Sequence, residues 1–520
     1  KTVASIDIWP NVLTTVAELN PGSWGQVLNS INGPLFFIIG ILGAILAIFP
    51  LVKKEDLRVH YLALLVLWFG GLSVAGVLAM RFIALLAAPF AIAFGAFFGM
   101  CFVLAKRIDQ KDVKIGAQVL LVVIAVVLFI APVTTAQNIG RSEIPTMNDA
   151  WVTSLEEIGA DTEDGIITSW WDFGHWFVNK AEERVTFDGG DQGKRIYWVG
   201  KLLMTSDVEE NKGILRMLNC GQNQGYETLL KHTESNYRAS TLVNSIVTQS
   251  REEAQQTLSN AGLSENEQAN VLGWTHCPNE ELLDQYVIAS QDMISKANVW
   301  AHFGSWDFDR AYIYSVVRIQ PYEQAIQTMA TELGITNEDE AAQLYFEANN
   351  LQGGRDVDSW VAPWPGYIMQ APRGCQNNGD NFTCQLGITV QEQQNVRVVM
   401  DGLYIDNNNF NDSFLVIGTY QGSQRVGEEF MQPATITVWD NATQTWESRN
   451  LGGTFPYEFV VGPNQNGIYQ TIAGEDAVAD SAFSKMFFFD GTGLDGYTKF
   501  NDRTSFNGQR IITYKVDLTT

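Results

Sequence analysis

Three tryptophans and one aspartate fall within seven residues, Trp170-Trp171-Asp172-Phe173-Gly174-His175-Trp176. A short apolar run, Gly165-Ile166-Ile167, precedes them and reads as a strand that delivers them. Tryptophan offers a large apolar body and an N–H that wants a partner when buried. One carboxylate at the lip of such an aromatic pocket suits a small hydroxyl or amide. The plainer alternative is a strand end whose aromatic residues are only core. Gly174 suits a turn that a side chain would block.

The elements that must position this stretch differ sharply along the 520 residues. Up to about residue 136 the chain is mostly apolar, and the acidic residues lie overwhelmingly after it. A formal net charge of −25 argues against a nucleic-acid partner, because phosphate binding needs basic patches. The acidity fits either a salty habitat or an extracellular surface. Four apolar runs, at 33–52, 59–79, 82–105 and 115–135, each approach the ~20 residues a spanning helix needs. Lys53, Lys54 and Arg58 lie between the first two, and Lys106, Arg107, Lys111 and Lys114 between the last two. Positive loops stay cytoplasmic, so both ends of the segment and everything after 136 are expected outside. Arg81 sits between two runs with almost no loop, where a cation either snorkels to the headgroups or faces a functional cavity. The chain begins with Lys1 and no basic-then-apolar signal segment, so it reads as a fragment or a processed product.

Beyond the apolar segment, Val152 to Ile158 and the stretches near 206–219, 249–262, 279–286, 290–301 and 338–349 have helical patterns. From 355 the chain changes to short alternating runs such as Gly387-Ile388-Thr389-Val390 and Thr435-Ile436-Thr437-Val438, set between Gly, Asn and Asp turns. The expected organisation is an external loop over 1–30, four transmembrane helices over 31–136, an extracellular mixed α/β domain over 137–354, and a β-rich domain over 355–520. Cys375 and Cys384 flank a turn-rich loop and favour a local disulfide in an external segment. Cys220 and Cys277 either pair or stay free, and Cys101 reads as a packed membrane residue. No Cys or His cluster has zinc spacing, and His175, His276 and His302 read as structural. Asp188 and Asp191 around Gly189-Gly190 read as a turn, with cation binding as the alternative.

Trp170-Trp171-Asp172 with Gly174 resembles the W-W-D-x-G signature of the catalytic subunit of oligosaccharyltransferase. Its place agrees, shortly after a last apolar run and opening the polar part of the chain. Thr15-Val16-Ala17-Glu18 resembles the Thr/Ser-x-x-Glu motif of that family's last large external loop. Arg81 falls where the family has an arginine facing the phosphate of its lipid-linked donor. Met293, Lys296 and Trp300 resemble the family's second pocket motif as a hybrid of two forms, D-x-x-K-x-x-x-M/I and M-x-x-I-x-x-x-I/V/W, with Asp292 one residue early. The charge split, the Asn-Gly turns and the tail Ala482 to Phe489 look archaeal.

The resemblance implies an enzyme that moves an oligosaccharide from a polyprenyl phosphate or diphosphate to Asn in Asn-x-Ser/Thr of secreted and membrane proteins. It implies Glu18 on the acceptor amide and Arg81 on the donor phosphate. It implies Trp170, Trp171, Asp172, Met293 and Lys296 on the acceptor's Ser or Thr. A divalent metal, Mn2+ or Mg2+, is expected, with Glu18 the one candidate ligand here. The family's earlier loops, with a catalytic aspartate and a D-x-D-like motif, have no counterpart in these residues. The implied partners are the lipid-linked oligosaccharide, acceptor polypeptides and the membrane. The alternative is a non-catalytic, membrane-anchored module that presents acceptor peptides to a partner chain. Three sequons, at Asn381, Asn411 and Asn441, lie in the expected external part and are open to glycosylation themselves.

Overall fold

The computed structural model describes residues 8–12, 16–48, 57–190, 192–393, 395–475 and 477–519. Two compact units emerge, Val12–Thr146 on one hand and Lys1–Asn11 with Met147–Thr520 on the other.

The first unit is helical: Trp24–Ser30, Pro34–Ile48, Leu57–Leu78, Arg81–Leu85, Ala87–Lys106 and Lys111–Ser142. Ala87–Lys106 and Lys111–Ser142 are long and apolar enough to cross a membrane. A third crossing results if Trp24–Ser30 and Pro34–Leu46, bent by 81° at their junction, act as one span. Two or three candidates therefore stand among the described residues, where hydropathy predicts four. Ala63–Leu78 counts among the described residues as a shorter apolar helix. The 15 residues of Pro34–Ile48 rise only ~22 Å at 1.5 Å each, short of a ~30 Å hydrocarbon core. Residues 49–56, with Lys53 and Lys54 of the first basic loop, lie outside the described residues. Along Lys111–Ser142 the side chains of Val119, Leu120, Val122, Val123, Val126 and Ile130 are exposed on every face, a pattern suited to lipid.

The second unit is built on two sheets. In the first, strand β1 (Gly165–Thr168) runs parallel to β2 (Arg184–Val185) and to β3 (Asp284–Ser290). β3 is buried along Tyr286, Val287, Ile288 and Ala289, as a parallel strand covered on both faces must be. The helical reading of 279–286 fails here. Asn279–Glu281 is a single 3-10 turn and β3 begins at Asp284, a short apolar run being ambiguous in period. The other edge of β3 is closed from far along the chain. Strand Arg510–Val516 pairs antiparallel with it, Ile511 opposite Ser290 and Val516 opposite Gln285, and Tyr497–Thr504 follows outside. Nine further strands, between Arg373 and Gly474, form the second sheet. The last hairpin thus leaves the β-rich stretch expected over 355–520 and completes the α/β sheet, covering an edge that would otherwise be unpaired.

Ile8 and Trp9, at the start of the external loop expected over 1–30, pack into this unit, while the described residues from Val12 to Ser30 belong to the helical one. Trp9 packs edge-on against Tyr226 and Phe308, each at 4.8 Å, and Trp306 Nε1 donates to Ile8 O at 2.8 Å. Both disulfides form, Cys220–Cys277 and Cys375–Cys384, the second between directly opposed residues of neighbouring strands. Paired cysteines suit an oxidising compartment.

Helices Arg195–Met204 and Ala297–Gly304 touch backbone to backbone. A Cβ on Gly200 would lie 2.6 Å from Trp300 O, and one on Gly304 only 2.5 Å from Gly200 O. Overpacking of this kind costs about 1–3 kcal/mol. Gly304→Ala should therefore lower the urea midpoint of unfolding by that equivalent, whereas an unchanged midpoint would mean that the helices separate freely.

Candidate functional site

β1 and β3 are parallel neighbours, so their carboxyl ends open side by side, where open α/β sheets receive ligands. From β1 the chain passes Ser169 and Trp170, makes a 3-10 turn over Trp171–Phe173 and enters helix Gly174–Ala181. From β3 it passes Ser290 and Gln291 into the single turn Asp292–Ser295, breaks at Lys296 and continues as Ala297–Gly304. The uninterrupted helix expected over 290–301 is thus two pieces. The piece after the break is the one that lies against Gly200.

The floor of the site is anchored from both strands. Trp170 is 3% exposed, near-parallel to Phe303 at 6.2 Å and edge-on to Phe187 at 5.9 Å. Ser169 Oγ donates to Ile288 O at 2.8 Å, and Trp300 Nε1 donates to Met293 O at 2.9 Å. Met293, 1% exposed, lies beneath Ser169 and supports the pocket from within. Gly174 has an ordinary helical φ of −53°, so no unusual backbone conformation demands a glycine, yet a side chain would be blocked as expected. Space is the reason instead: a Cβ there would lie 2.6 Å from Phe187 O. Trp171 is half-buried with its ring over Gly189. His175 Nδ1 meets Asp188 Oδ2 at 3.1 Å, and Asp188 Oδ1 accepts from Gly190 N at 2.7 Å. Asp188 thus closes a turn that packs on the aromatic loop. Asp191 lies outside the described residues.

The charge arrangement sits on this floor. Lys296 Nζ lies 3.0 Å from Asp172 Oδ2 and 2.9 Å from Asp292 Oδ2, and 5.2 Å from the Phe173 ring centre. Ser290 Oγ donates to Asp292 Oδ1 at 2.6 Å. Lys296 thus reaches both carboxylates through one oxygen each, with its hydrogen bond to Asp292 the better aligned. Sequence reasoning set Asp292 aside as one residue early for a D-x-x-K motif. The i, i+4 spacing to Lys296 is what lets it close the pair, and that spacing was the available signal. Burial pushes the Asp172 carboxyl above its ordinary pKa; Lys296 opposes this and Asp292 adds to it. Burial works against the Lys296 ammonium, but Asp292 and Asp172 together raise its pKa above the ordinary lysine value. The outcome is a fixed carboxylate, Asp172, that keeps lone pairs free for an O–H or N–H donor.

Glu18 and Arg81 lie in the helical unit. Thr15 of the Glu18 motif is outside the described residues. Glu18 is exposed in the 3-10 turn Ala17–Leu19. Two residues on, Asn20 O accepts from Met80 N at 3.0 Å, and a Cβ on Gly22 would lie 2.4 Å from Gly76 O. The stretch carrying Glu18 is therefore stitched to the turn that precedes Arg81. Arg81 opens helix Arg81–Leu85 and is exposed.

The buried histidines are structural. His302 stacks on Trp364 at 3.6 Å with Nδ1 3.2 Å from Ala362 O, and burial pushes its pKa down to about 4. His276 is held by Thr275 Oγ1 and Gln249 O, and burial lowers it too. Among the described residues no group of three or more His, Cys, Asp or Glu side chains converges as a metal site.

Asp172 binds its proton more tightly folded than unfolded, so its ionisation costs stability at neutral pH and the cost disappears as pH falls through its folded pKa. Lys296 is the reverse case: its raised pKa stabilises the fold below the ordinary lysine range and is lost as pH rises through the folded value. Lys296→Met leaves two facing carboxylates without their cation and should cost about 1–3 kcal/mol at neutral pH. The gap to wild type in urea unfolding should narrow at about pH 4, where Asp172 protonates more readily. A gap independent of pH would show that packing, not charge, carries the effect.

No family model matches the chain. It is 30% identical, over 418 aligned residues, to the dolichyl-phosphooligosaccharide-protein glycotransferase of Methanococcus voltae, covering 64% of this chain and 45% of that protein. It is 31% identical over 376 residues to the protein of the same name from Methanocaldococcus jannaschii, covering 58% of this chain and 39% of that one. Among solved structures, the C-terminal domain of C. jejuni PglB covers 70% of this chain and 99% of its own length, at 11% identity and a TM-score of 0.28, too loose a superposition to carry residues across. The chain spans less than half the length of these two curated relatives. The likeness to the oligosaccharyltransferase catalytic subunit, first met in Trp170-Trp171-Asp172 and Gly174, thus extends as similarity to archaeal glycotransferases over about three fifths of this chain.

Proposed function

We propose that this chain is the C-terminal part of a membrane oligosaccharyltransferase. The whole enzyme moves an oligosaccharide from a polyprenyl phosphate or diphosphate to the Asn amide of Asn-x-Ser/Thr segments outside the membrane. The observation that carries this reading is Asp172: a partly buried carboxylate, fixed through one oxygen by Lys296 at the carboxyl ends of β1 and β3, with acceptor capacity left over. In a chain similar to glycotransferases, that carboxylate is the acceptor for the sequon hydroxyl.

The chemistry sets the demands. An amide nitrogen is a poor nucleophile because its lone pair is delocalised into the carbonyl, so it must be held and aimed at the sugar's anomeric carbon. Asp172 accepts the Ser or Thr O–H, Trp171 packs on that residue at the exposed side, and Trp170 and Met293 form the floor. Lys296 holds Asp172 in place and keeps it ionised. A site built to bond a hydroxyl rejects side chains that lack one, because its own polar group is then left unpaired. Glu18 accepts from the acceptor amide, and Arg81 neutralises charge on the departing phosphate. The described residues do not by themselves fit the expected Mn2+ or Mg2+. Such an ion favours several oxygen ligands, and here Glu18 is a single exposed carboxylate.

Two measurements test the reading. In the full-length enzyme, Asp172→Ala should weaken binding of an Asn-x-Thr peptide by roughly tenfold to a hundredfold, the worth of a charge-assisted hydrogen bond at about 1.5–3 kcal/mol. An Asn-x-Ala peptide should bind poorly to both proteins and lose little more. Equal losses for the two peptides would make Asp172 a prop for its loop and not a reader of the hydroxyl. The external placement is tested separately by cysteines at Ser23 and Ser142, both exposed. Both should react with an impermeant reagent from outside intact cells, and labelling of only one would reverse the placement of the other.

A further inference from the structure

The nine-stranded sheet holds a second place where carbohydrate chemistry converges, away from the Asp172 pocket. A cavity of about 310 Å3 is lined by Phe382, Asn407, Phe410, Trp439, Asn441 and Tyr469. That is the lower end of ligand pockets, the size for a single sugar ring. Aromatic walls beside amides are the usual surface for a sugar, whose C–H faces pack on rings and whose hydroxyls need polar partners. Asn407 donates from Nδ2 to Gly379 O at 3.0 Å, but its Oδ1 is enclosed and accepts nothing among the described residues. An enclosed acceptor without a donor is costly unless something else supplies one.

Asn441 stands at the rim of this cavity and heads the sequon Asn441-Ala442-Thr443. It lies in the exposed turn that joins strands Pro433–Asp440 and Thr445–Asn450. Its Oδ1 accepts from Trp439 Nε1 at 3.0 Å, which fixes the side chain, while Nδ2 makes no hydrogen bond among the described residues. The other two sequons are placed differently. Asn381 is half-buried in a strand, paired with Asp406. Asn411 is exposed, but the hydroxyl-bearing Ser413 is 2% exposed and accepts from Asp406 N.

We infer that Asn441 carries an N-linked glycan whose first sugar seats in this cavity against the rings of Phe382, Trp439 and Tyr469. The inference rests on the proposed function for its co-substrate, a polyprenyl-linked oligosaccharide. Asn441 Nδ2 forms a bond to the sugar's anomeric carbon and the carbon–oxygen bond to phosphate breaks. The lipid phosphate leaves with the bonding electrons, and the amide gives one proton to a base or water. Oδ1 remains a carbonyl and keeps the Trp439 bond. In the fold Thr443 Oγ1 donates to Asp440 Oδ2 at 2.8 Å, so its hydroxyl is already committed. Transfer therefore needs this exposed turn to open locally, with the neighbouring strands already paired.

The sequence makes the test clean. Trypsin cuts after Arg373, Arg397, Arg425 and Arg449, and no lysine intervenes, so each sequon falls on its own peptide. In the full-length protein purified from its own organism, the peptide 426–449 should appear mainly with a glycan mass added. Thr443→Ala, which breaks the sequon yet keeps Asn441 and its Trp439 bond, should remove that mass. Amide exchange around Phe382 and Asn407 should be several-fold slower in the glycosylated protein than in Thr443→Ala, and equal exchange would overturn the seating. A bare 426–449 peptide from a preparation that still glycosylates a free Asn-x-Thr peptide would overturn the inference and leave the proposed function intact. A glycosylated 426–449 peptide from a preparation without transferase activity would do the opposite.

Discussion

The contact on which this site depends is one ammonium between two carboxylates. Lys296 holds Asp172 from β1 and Asp292 from β3, and each partner comes from the carboxyl end of a different parallel strand. A single enclosed carboxylate would tend to take up a proton and lose its value as an acceptor. A single lysine would be no better, since burial disfavours its charge too. Together they leave one net negative charge at the lip of an aromatic floor. That charge is held by geometry from two strands and not by one flexible side chain.

Everything nearby serves to keep that geometry. The floor is fixed by tryptophan N–H and serine O–H groups donating to backbone carbonyls, Trp300 to Met293 O and Ser169 to Ile288 O. Close approach does the rest. Gly174 admits Phe187 O, and Gly200 and Gly304 let two helices meet at their backbones. These contacts have no slack, because an interior packed to crystal density transmits even a methyl group's displacement. The strand Arg510–Val516 belongs to the same logic. It arrives from the end of the chain to pair with β3, so the strand that carries Asp292 is clamped on both sides.

How much of this was legible follows from which interactions are local in sequence. The β1 strand, the aromatic stretch after it and the Cys375–Cys384 disulfide are short-range features, and residue type alone marks them. The Asp292–Lys296 pair is local too, but the family motif has a three-residue spacing, whereas the helical four-residue spacing is the one that brings these side chains together. The return of the last hairpin to β3 is separated from it by more than 200 residues, and nothing in the alternation of Ile511, Ile512 and Tyr514 says which edge they will cover. Trp9 was hidden for the same reason. Its aromatic partners, Tyr226 and Phe308, lie beyond the whole helical unit in sequence. Hydropathy measures apolar length, whereas crossing requires helical length, so two or three of the four expected spans stand among the described residues. Pro34–Ile48 has the first over a longer window than it has the second.

The balance of charges also bears on how an acidic chain would read the neutral hydroxyl of the proposed acceptor. With a formal charge of −25, the protein offers carboxylates over most of its surface, and nearly all are solvated or paired. A solvated carboxylate has no preference for a threonine hydroxyl over water, since the exchange of one hydrogen bond for another is close to neutral. Discrimination requires a carboxylate that water does not already satisfy. In the proposed reading, burial of Asp172 supplies that condition, and the raised proton affinity of the group is its visible cost. Lys296 opposes that cost from 3.0 Å but divides its charge between Asp172 and Asp292, so it neutralises neither carboxylate alone. Asp172 is then held in place through one oxygen while acceptor capacity remains for the proposed hydroxyl.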